Sequence, residues 1–430
     1  MDGNSRYLRS ERLLELAERV IPLGSQTFSK SRTQYPVGVS PFFAYKGSGS
    51  YLWDVDGNKF IDLVASLAAV TLGYGDPDIS KAVKKQLKRG VSLSLSNEIE
   101  VIVAEKITKL VPGAEMVRFA KNGSDVTSAA VRIARFYTSR DFIISIGYHG
   151  WHDWYIGSTT RSMGVPKAVQ DLTLTARYND IAHIETLFET AKGNVAAVIL
   201  EPMNSEEPVP GYLESLRDFC SSKNILLIFD EVITGFRFAK GGAQELFGVT
   251  PDLTCFGKGI ANGFPLSALT GKRKIMEGFK DVFFSGTFGG ELLSLTAASV
   301  VLDKISEGNT ISELYRIGSI IQKALKQLIS KNNYDFVNVS GNPTWTFLTW
   351  TLENSDLQNK IKTLFLQEMF KRGILILNTN NITTTLKQKD INKVLTAYTE
   401  VFARISQSLS LNNVDTLLEC EPIVPLFKVR

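Results

Sequence analysis

The chain has 430 residues, more than a single hydrophobic core usually serves, so two domains are expected. Charged residues make up 21% and hydrophobic residues 44%, which excludes a largely disordered, collagen-like or membrane-embedded chain. The net charge of +4 comes from 48 basic and 44 acidic residues with no long Lys/Arg block, so nucleic acid is not an expected partner. Cys220, Cys255 and Cys420 lack CxxC spacing, and the three histidines complete no metal-ligand pattern with them; a reducing, cytoplasmic setting without a structural metal is the expectation.

From Arg6 to Val20 charges interrupt leucines at helical spacing, which predicts an amphipathic helix and not a signal peptide. Tyr51 to Leu63, YLWDVDGNKFIDL, alternates around Asp56-Gly57 and reads as a hairpin. Between about residues 75 and 300 helical patterns alternate with short apolar runs, at Met116–Ala120, Phe142–Ser145, Ala196–Leu200, Leu226–Phe229 and Leu253–Phe256. That rhythm predicts an α/β fold, a mostly parallel sheet with helices on both faces. Beyond Ala297 a helix over Ile311–Ile329 and mixed elements suggest a smaller α+β domain. The expected division is an N-terminal segment 1–60 packing with the small domain, a large domain 61–300 and the small domain 301–430. The most apolar runs, Val195–Leu200 and Ile225–Phe229, fall far short of the roughly 20 residues of a membrane span, so no membrane association is expected.

Four segments carry chemistry. In Ile228-Phe229-Asp230-Glu231-Val232 an apolar strand ends in two carboxylates, and Cys255-Phe256-Gly257-Lys258-Gly259 follows it. Strand C-termini are where open α/β sheets bind ligands. An acid and a glycine-flanked lysine on two such ends suit pyridoxal 5′-phosphate (PLP), which needs an amine and a carboxylate for its ring nitrogen. The same residues also read as a surface lysine and an acidic turn. Lys121-Asn122-Gly123-Ser124-Asp125-Val126, ahead of the helical run Thr127–Tyr137, offers backbone amides and a hydroxyl for a phosphate, or an ordinary capped turn. In Gly147-Tyr148-His149-Gly150-Trp151-His152 the tyrosine suits stacking on a flat cofactor, or simple core packing; the histidines read as hydrogen-bonded structural residues, and a zinc site lacks a third ligand. Ser285-Gly286-Thr287-Phe288-Gly289-Gly290-Glu291 is a second glycine-rich turn, a phosphate edge or a plain loop.

In this order the segments closely resemble the class III, fold-type I PLP-dependent aminotransferases, within them the glutamate-1-semialdehyde aminomutase branch. The resemblance runs from YLWDVDGNKFIDL through VPGAEMVRFAKNGSDVTSAAVRIAR, GYHGWHD, LEPMNSE and FDEVITGFR to GVTPDLTCFGKGIANGFPLSALTGKRKIM. It implies that Lys258 holds the cofactor as a Schiff base and shuttles the proton, and that Asp230 partners the pyridine nitrogen. It further implies Val232 on one ring face and Tyr148 on the other, Gly123 and Ser124 at the phosphate, and Glu201 near the cofactor. Thr287 would reach the phosphate of a neighbouring subunit, which requires a homodimer.

The chain departs from the family pattern at the phosphate motif and at several places on the substrate side. The usual Asn-Ser-Gly-Thr-Glu-Ala phosphate motif keeps only its glycine and a hydroxyl, at Gly123 and Ser124. On the substrate side, the aminomutase arginine for a carboxylate falls where this chain has Lys30 or Arg32, and a lysine lacks the planar fork of arginine. Ile374–Thr385 lacks the arginine that many members use for an α-carboxylate, and the stretch from His152 to Tyr178 looks shorter than the mutase gating loop. The expected reaction is therefore transfer from an amino-acid donor, glutamate by analogy, to a carbonyl acceptor such as a modified sugar or polyol aldehyde or ketone. Glutamate-1-semialdehyde 2,1-aminomutase is the alternative.

Overall fold

A computed structural model describes residues 6–424; the outermost parts of the two expected terminal segments, 1–5 and 425–430, lie outside the described residues. The chain divides into two compact units, one made of residues up to Asp76 together with those from Ser312 onward, the other of Pro77–Ile311.

The strands, in chain order, are β1 (Ala44–Ser48), β2 (Tyr51–Asp54), β3 (Lys59–Asp62), β4 (Met116–Ala120), β5 (Phe142–Ile146), β6 (Thr173–Thr175), β7 (Val195–Leu200), β8 (Leu226–Glu231), β9 (Leu253–Phe256), β10 (Ser267–Gly271), β11 (Val337–Asn342), β12 (Trp345–Trp350), β13 (Ile374–Leu375) and β14 (Thr379–Asn381). In the discontinuous unit β2 and β3 form the anticipated antiparallel hairpin, and β3 accepts β13 as a parallel neighbour, Ile61 opposite Ile374. Phe60, Ile61 and Leu63 are buried with Leu364, Phe365 and Phe402, so the N-terminal and C-terminal parts of this unit share one core.

The central unit is built on a seven-stranded sheet ordered β4-β10-β9-β8-β7-β5-β6. Every adjacent pair is parallel except those made by β10, which runs antiparallel to both β4 and β9. All six residues of β7 and all six of β8 are buried, as expected for strands covered on both faces. Side chains alternate between the faces. Ile143, Ala197, Ile199, Ile228 and Cys255 pack with Val126, Ala130 and Ile133 of helix Gly123–Thr138. Ile144, Val198, Leu200, Leu227 and Phe229 pack with Ile184, Leu216 and Phe219 from helices Ile181–Thr190 and Tyr212–Ser222 on the other face. Among the described residues, no helix is long and apolar enough to cross a membrane.

The helix after β4 begins at Gly123, four residues before the expected Thr127 start. Asp125 makes the difference: its Oδ2 accepts from the backbone N–H of Asn122 at 2.8 Å and of Lys121 at 3.2 Å, which caps the helix early. Gly123 and Ser124 are thus the first residues of a 16-residue helix, not a turn before it.

Candidate active site

Because β4, β5, β7, β8 and β9 point the same way, their C-terminal ends share one edge of the sheet. The residues at those ends are Lys121–Ser124, Gly147–Gly150, Glu201, Asp230–Val232 and Gly257–Lys258. Register fixes the neighbours: Leu200 lies opposite Phe229 and Asp230 opposite Cys255, which places Glu201, Asp230 and the Gly257-Lys258 turn on adjacent strand ends.

Asp230 and Glu231 are consecutive in β8 and so face opposite ways. Asp230 is buried on the side of helix Gly123–Thr138; its Oδ1 accepts from Val232 N–H at 3.1 Å and its Oδ2 lies 2.8 Å from His149 Nδ1. Glu231 is wholly buried on the other side, where it accepts from the backbone N–H groups of Ala243 and Gln244, the Gln244 amide and the Thr234 hydroxyl. Burial pushes its carboxyl up, while those donors pull the other way.

Val232 gathers the phosphate-type turn and the lysine turn. A Cβ on Gly123 would come within 3.1 Å of the Val232 methyls, and one on Gly257 within 3.2 Å. Lys258 is half-buried at a left-handed φ of 44°, a conformation that a side chain raises in energy and that clusters at functional sites.

The 147–154 segment is laced onto the start of helix Gly123–Thr138. Thr127 Oγ1 donates to the His149 carbonyl at 2.9 Å, Trp151 N–H donates to Ser124 Oγ at 3.3 Å, and Trp154 Nε1–H donates to Ser128 Oγ at 2.9 Å. Gly150 sits at φ +102°, and a Cβ there would lie 2.1 Å from Ser124 Oγ, so the close approach admits only glycine. Glu201 accepts the Tyr148 N–H at 3.2 Å, and Tyr155 stands edge-on to the Tyr148 ring with centroids 5.6 Å apart.

Residues 34–397 match the family model of the class-III aminotransferases. The chain belongs to this family. The glutamate-1-semialdehyde 2,1-aminomutase of Prosthecochloris aestuarii is 40% identical over 363 residues, covering 80% of this chain and 84% of its own. The enzyme of the same name from Syntrophobacter fumaroxidans is 35% identical over 431 residues, covering 93% and 98%. The PLP-containing structure of the FumI protein of Sphingopyxis sp. MTA144 superposes with a TM-score of 0.88 at 26% identity over 96% of this chain and 99% of its own. The protein is accordingly a fold-type I, PLP-dependent enzyme of the class III aminotransferases.

Of the residues singled out in the sequence, the structure brings Gly123, Ser124, Tyr148, Glu201, Asp230, Val232 and Lys258 to one sheet edge. Thr287 is exposed in the loop before helix Leu292–Glu307. Lys121, which replaces the family's usual asparagine, pairs with Glu291 at 3.1 Å; Glu291 in turn caps that helix. Lys30 and Arg32 lie in the discontinuous unit, where Arg32 pairs with Glu18 at 3.1 Å. His149 belongs with the site through its bond to Asp230, whereas by sequence alone it reads as a structural histidine. The two are 81 positions apart, and only the topology joins them.

Proposed function

We propose that the chain moves an amino group within one small molecule, as a glutamate-1-semialdehyde 2,1-aminomutase. The observation that carries this reading is 40% identity across 80% of the chain to an enzyme of that name. The residues at the sheet edge fit the cofactor. Gly123 and Gly150 leave a cradle that a Cβ would fill, next to a long helix's N-terminus, which favours an anion. Asp230 offers a buried carboxylate with acceptor capacity left beyond its two bonds.

When bound, PLP supplies an electron sink for charge on the carbon that loses its proton. The chain does the rest. Lys258, at its left-handed φ, is assigned to holding the cofactor and, once displaced, to carrying the proton between two carbons. Asp230 holds negative charge at the ring nitrogen, Val232 and Tyr148 fix the ring plane, and Glu201 fixes Tyr148 through its backbone. Gly123 and Ser124 bind phosphate.

A second reading, transfer from an amino-acid donor such as glutamate to a carbonyl acceptor such as a modified sugar or polyol aldehyde or ketone, is favoured by Arg32. The aminomutase arginine for a carboxylate falls in this sequence at Lys30 or Arg32; Arg32 pairs with Glu18, and Lys30 is a point charge without the planar fork of arginine. Incubation with glutamate-1-semialdehyde and no donor decides: 5-aminolevulinate forms under the first reading, and turnover that requires a donor establishes the second.

A homodimer and cytoplasmic residence belong to the same proposal. Leu93, Leu95, Val101, Phe283 and Phe288 are exposed apolar residues of the central unit, the composition of a surface that a second copy covers. Free thiols at Cys220 and Cys255 suit a reducing compartment. Light scattering of the purified chain tests the dimer; a stable monomer at micromolar concentration removes the role given to Thr287.

A further inference from the structure

We propose that His152 is a positioning residue for the phosphate cradle: joined to Ser128 and facing Asp125, it sets the Trp151 peptide, whose N–H turns the Ser124 hydroxyl towards the phosphate. The inference rests on the assignment of Ser124 to the phosphate of PLP.

Ser124 and Ser128 stand one turn apart on the same face of helix Gly123–Thr138, and the segment after β5 runs along that face. Thr127 Oγ1 holds the His149 carbonyl, the Trp151 N–H meets Ser124 Oγ at 3.3 Å, and His152 Nδ1 lies 2.7 Å from Ser128 Oγ. Ser128 Oγ also accepts from Trp154 Nε1–H at 2.9 Å, so one hydroxyl gathers two side chains of the segment. On its other side, His152 Nε2 lies 4.0 Å from Asp125 Oδ1, and the second oxygen of that carboxylate caps the helix.

The Trp151 amide is the link that matters for a phosphate. A donor does not point at a donor, so with the Trp151 N–H aimed at Ser124 Oγ the serine's own proton turns away from the segment. The hydroxyl is thereby presented as a donor, the role an anionic phosphate oxygen requires. Without that N–H it is a free rotor, and ordering it takes away part of what its bond to the ligand contributes.

The side chain of Trp151 does not hold the amide in place. Its indole is 68% exposed and meets the His152 ring edge-on, with centroids 4.7 Å apart. The anchors flank it: the His149 carbonyl on Thr127 two residues before, and the His152 ring on Ser128 one residue after. The second anchor is itself rigid. His152 sits at φ −68°, ψ 151° ahead of the short helix Asp153–Ile156, and its carbonyl accepts the N–H groups of Tyr155 and Ile156 at 3.0 Å each. Its side chain makes no cap bond there and reaches across to the longer helix instead.

A histidine that merely fastened the segment down would matter for any ligand of this sheet edge, whereas one that acts through Ser124 matters for the phosphate alone. Pyridoxal separates the two, since it has the ring and aldehyde of PLP and no phosphate. The experiment is equilibrium dialysis of the full chain against PLP and against pyridoxal, in wild type, Ser124→Ala, His152→Ala and the double variant. In His152→Ala, PLP dissociation should loosen about tenfold and pyridoxal dissociation less than about twofold, and the change should vanish in the Ser124→Ala background. His152→Asn, whose amide still reaches Ser128 from near the Nδ1 position, should return PLP binding towards wild type. If His152→Ala does not fold, Ser128→Ala cuts the same link from the helix side and should show the same selective loss. Equal loosening of PLP and pyridoxal, losses that add to those of Ser124→Ala, or no loss at all overturns the inference alone. A Ser124→Ala chain that prefers PLP to pyridoxal as strongly as wild type overturns the assignment of Ser124 to the phosphate, and the inference with it.

Discussion

The two faces of β8 treat the same chemistry in opposite ways. On one face Glu231 meets four donors, two of them backbone N–H groups at the start of helix Ala243–Phe247, and its charge is spent on holding that helix. On the other face Asp230 receives one backbone N–H and one imidazole and keeps acceptor capacity. Neighbours in sequence, both buried, the two acids differ in how far the fold saturates them. A saturated buried carboxylate is a structural tie, and an undersaturated one at a strand end is available for a ligand.

The largest expected effect sharpens the Asp230 side. Lys258→Ala should lower turnover by on the order of 10⁴-fold or more while thermal unfolding stays near wild type, measured by steady-state kinetics and calorimetry. Persistent turnover would remove the site from this sheet edge. Asp230→Asn comes next, with an expected loss of about 10²–10³ in rate and little change in stability. Its counterpart Glu231→Gln should do the reverse: a loss of about 1.5–3 kcal/mol in denaturant unfolding with the rate per folded molecule retained. If the two variants lose rate and stability in equal measure, the contrast between the faces is wrong.

Gly150→Ala probes how closely the site segment approaches the helix. Crowding against Ser124 at a positive φ should cost about 1–3 kcal/mol of local strain and weaken PLP binding by about tenfold, read by equilibrium dialysis. The smallest effect belongs to Asp252, which precedes β9. Burial raises its carboxyl, but Leu227 N–H, Lys272 and Arg217 outweigh burial and hold it below its usual value. Since the folded form is the more acidic, the stabilisation is present above roughly pH 3.9 and fades as pH falls below it. Asp252→Asn should flatten that acid limb of the stability profile and leave the neutral-pH rate unchanged.

Five strands of the central sheet were readable from the rhythm of short, mostly apolar runs; Val195–Leu200, unbroken and covered on both faces, is the plainest, whereas β4 carries the exposed Arg118. β10, Ser-Ala-Leu-Thr-Gly, was not readable as a strand, since small and polar residues dominate it. Asp230 and Lys258 stood out through the residues beside them. His149 did not, because a lone histidine acquires meaning only from what lies across the sheet, and the early helix start at Gly123 was hidden in a cap made by Asp125 four residues after Lys121.

β10 also sets an order of events during synthesis. It is the last strand of its sheet to leave the ribosome, yet β4 has no other strand partner in that sheet. Until residues up to Gly271 have emerged, β4 lacks its strand neighbour, and the segment that follows it is held only by the packing of helix Gly123–Thr138 on the sheet and by its bonds to the 147–154 segment. A nascent chain stopped before β10 should therefore bind PLP more weakly than the full chain, because the edge strand that leads into Gly123 and Ser124 is not yet paired.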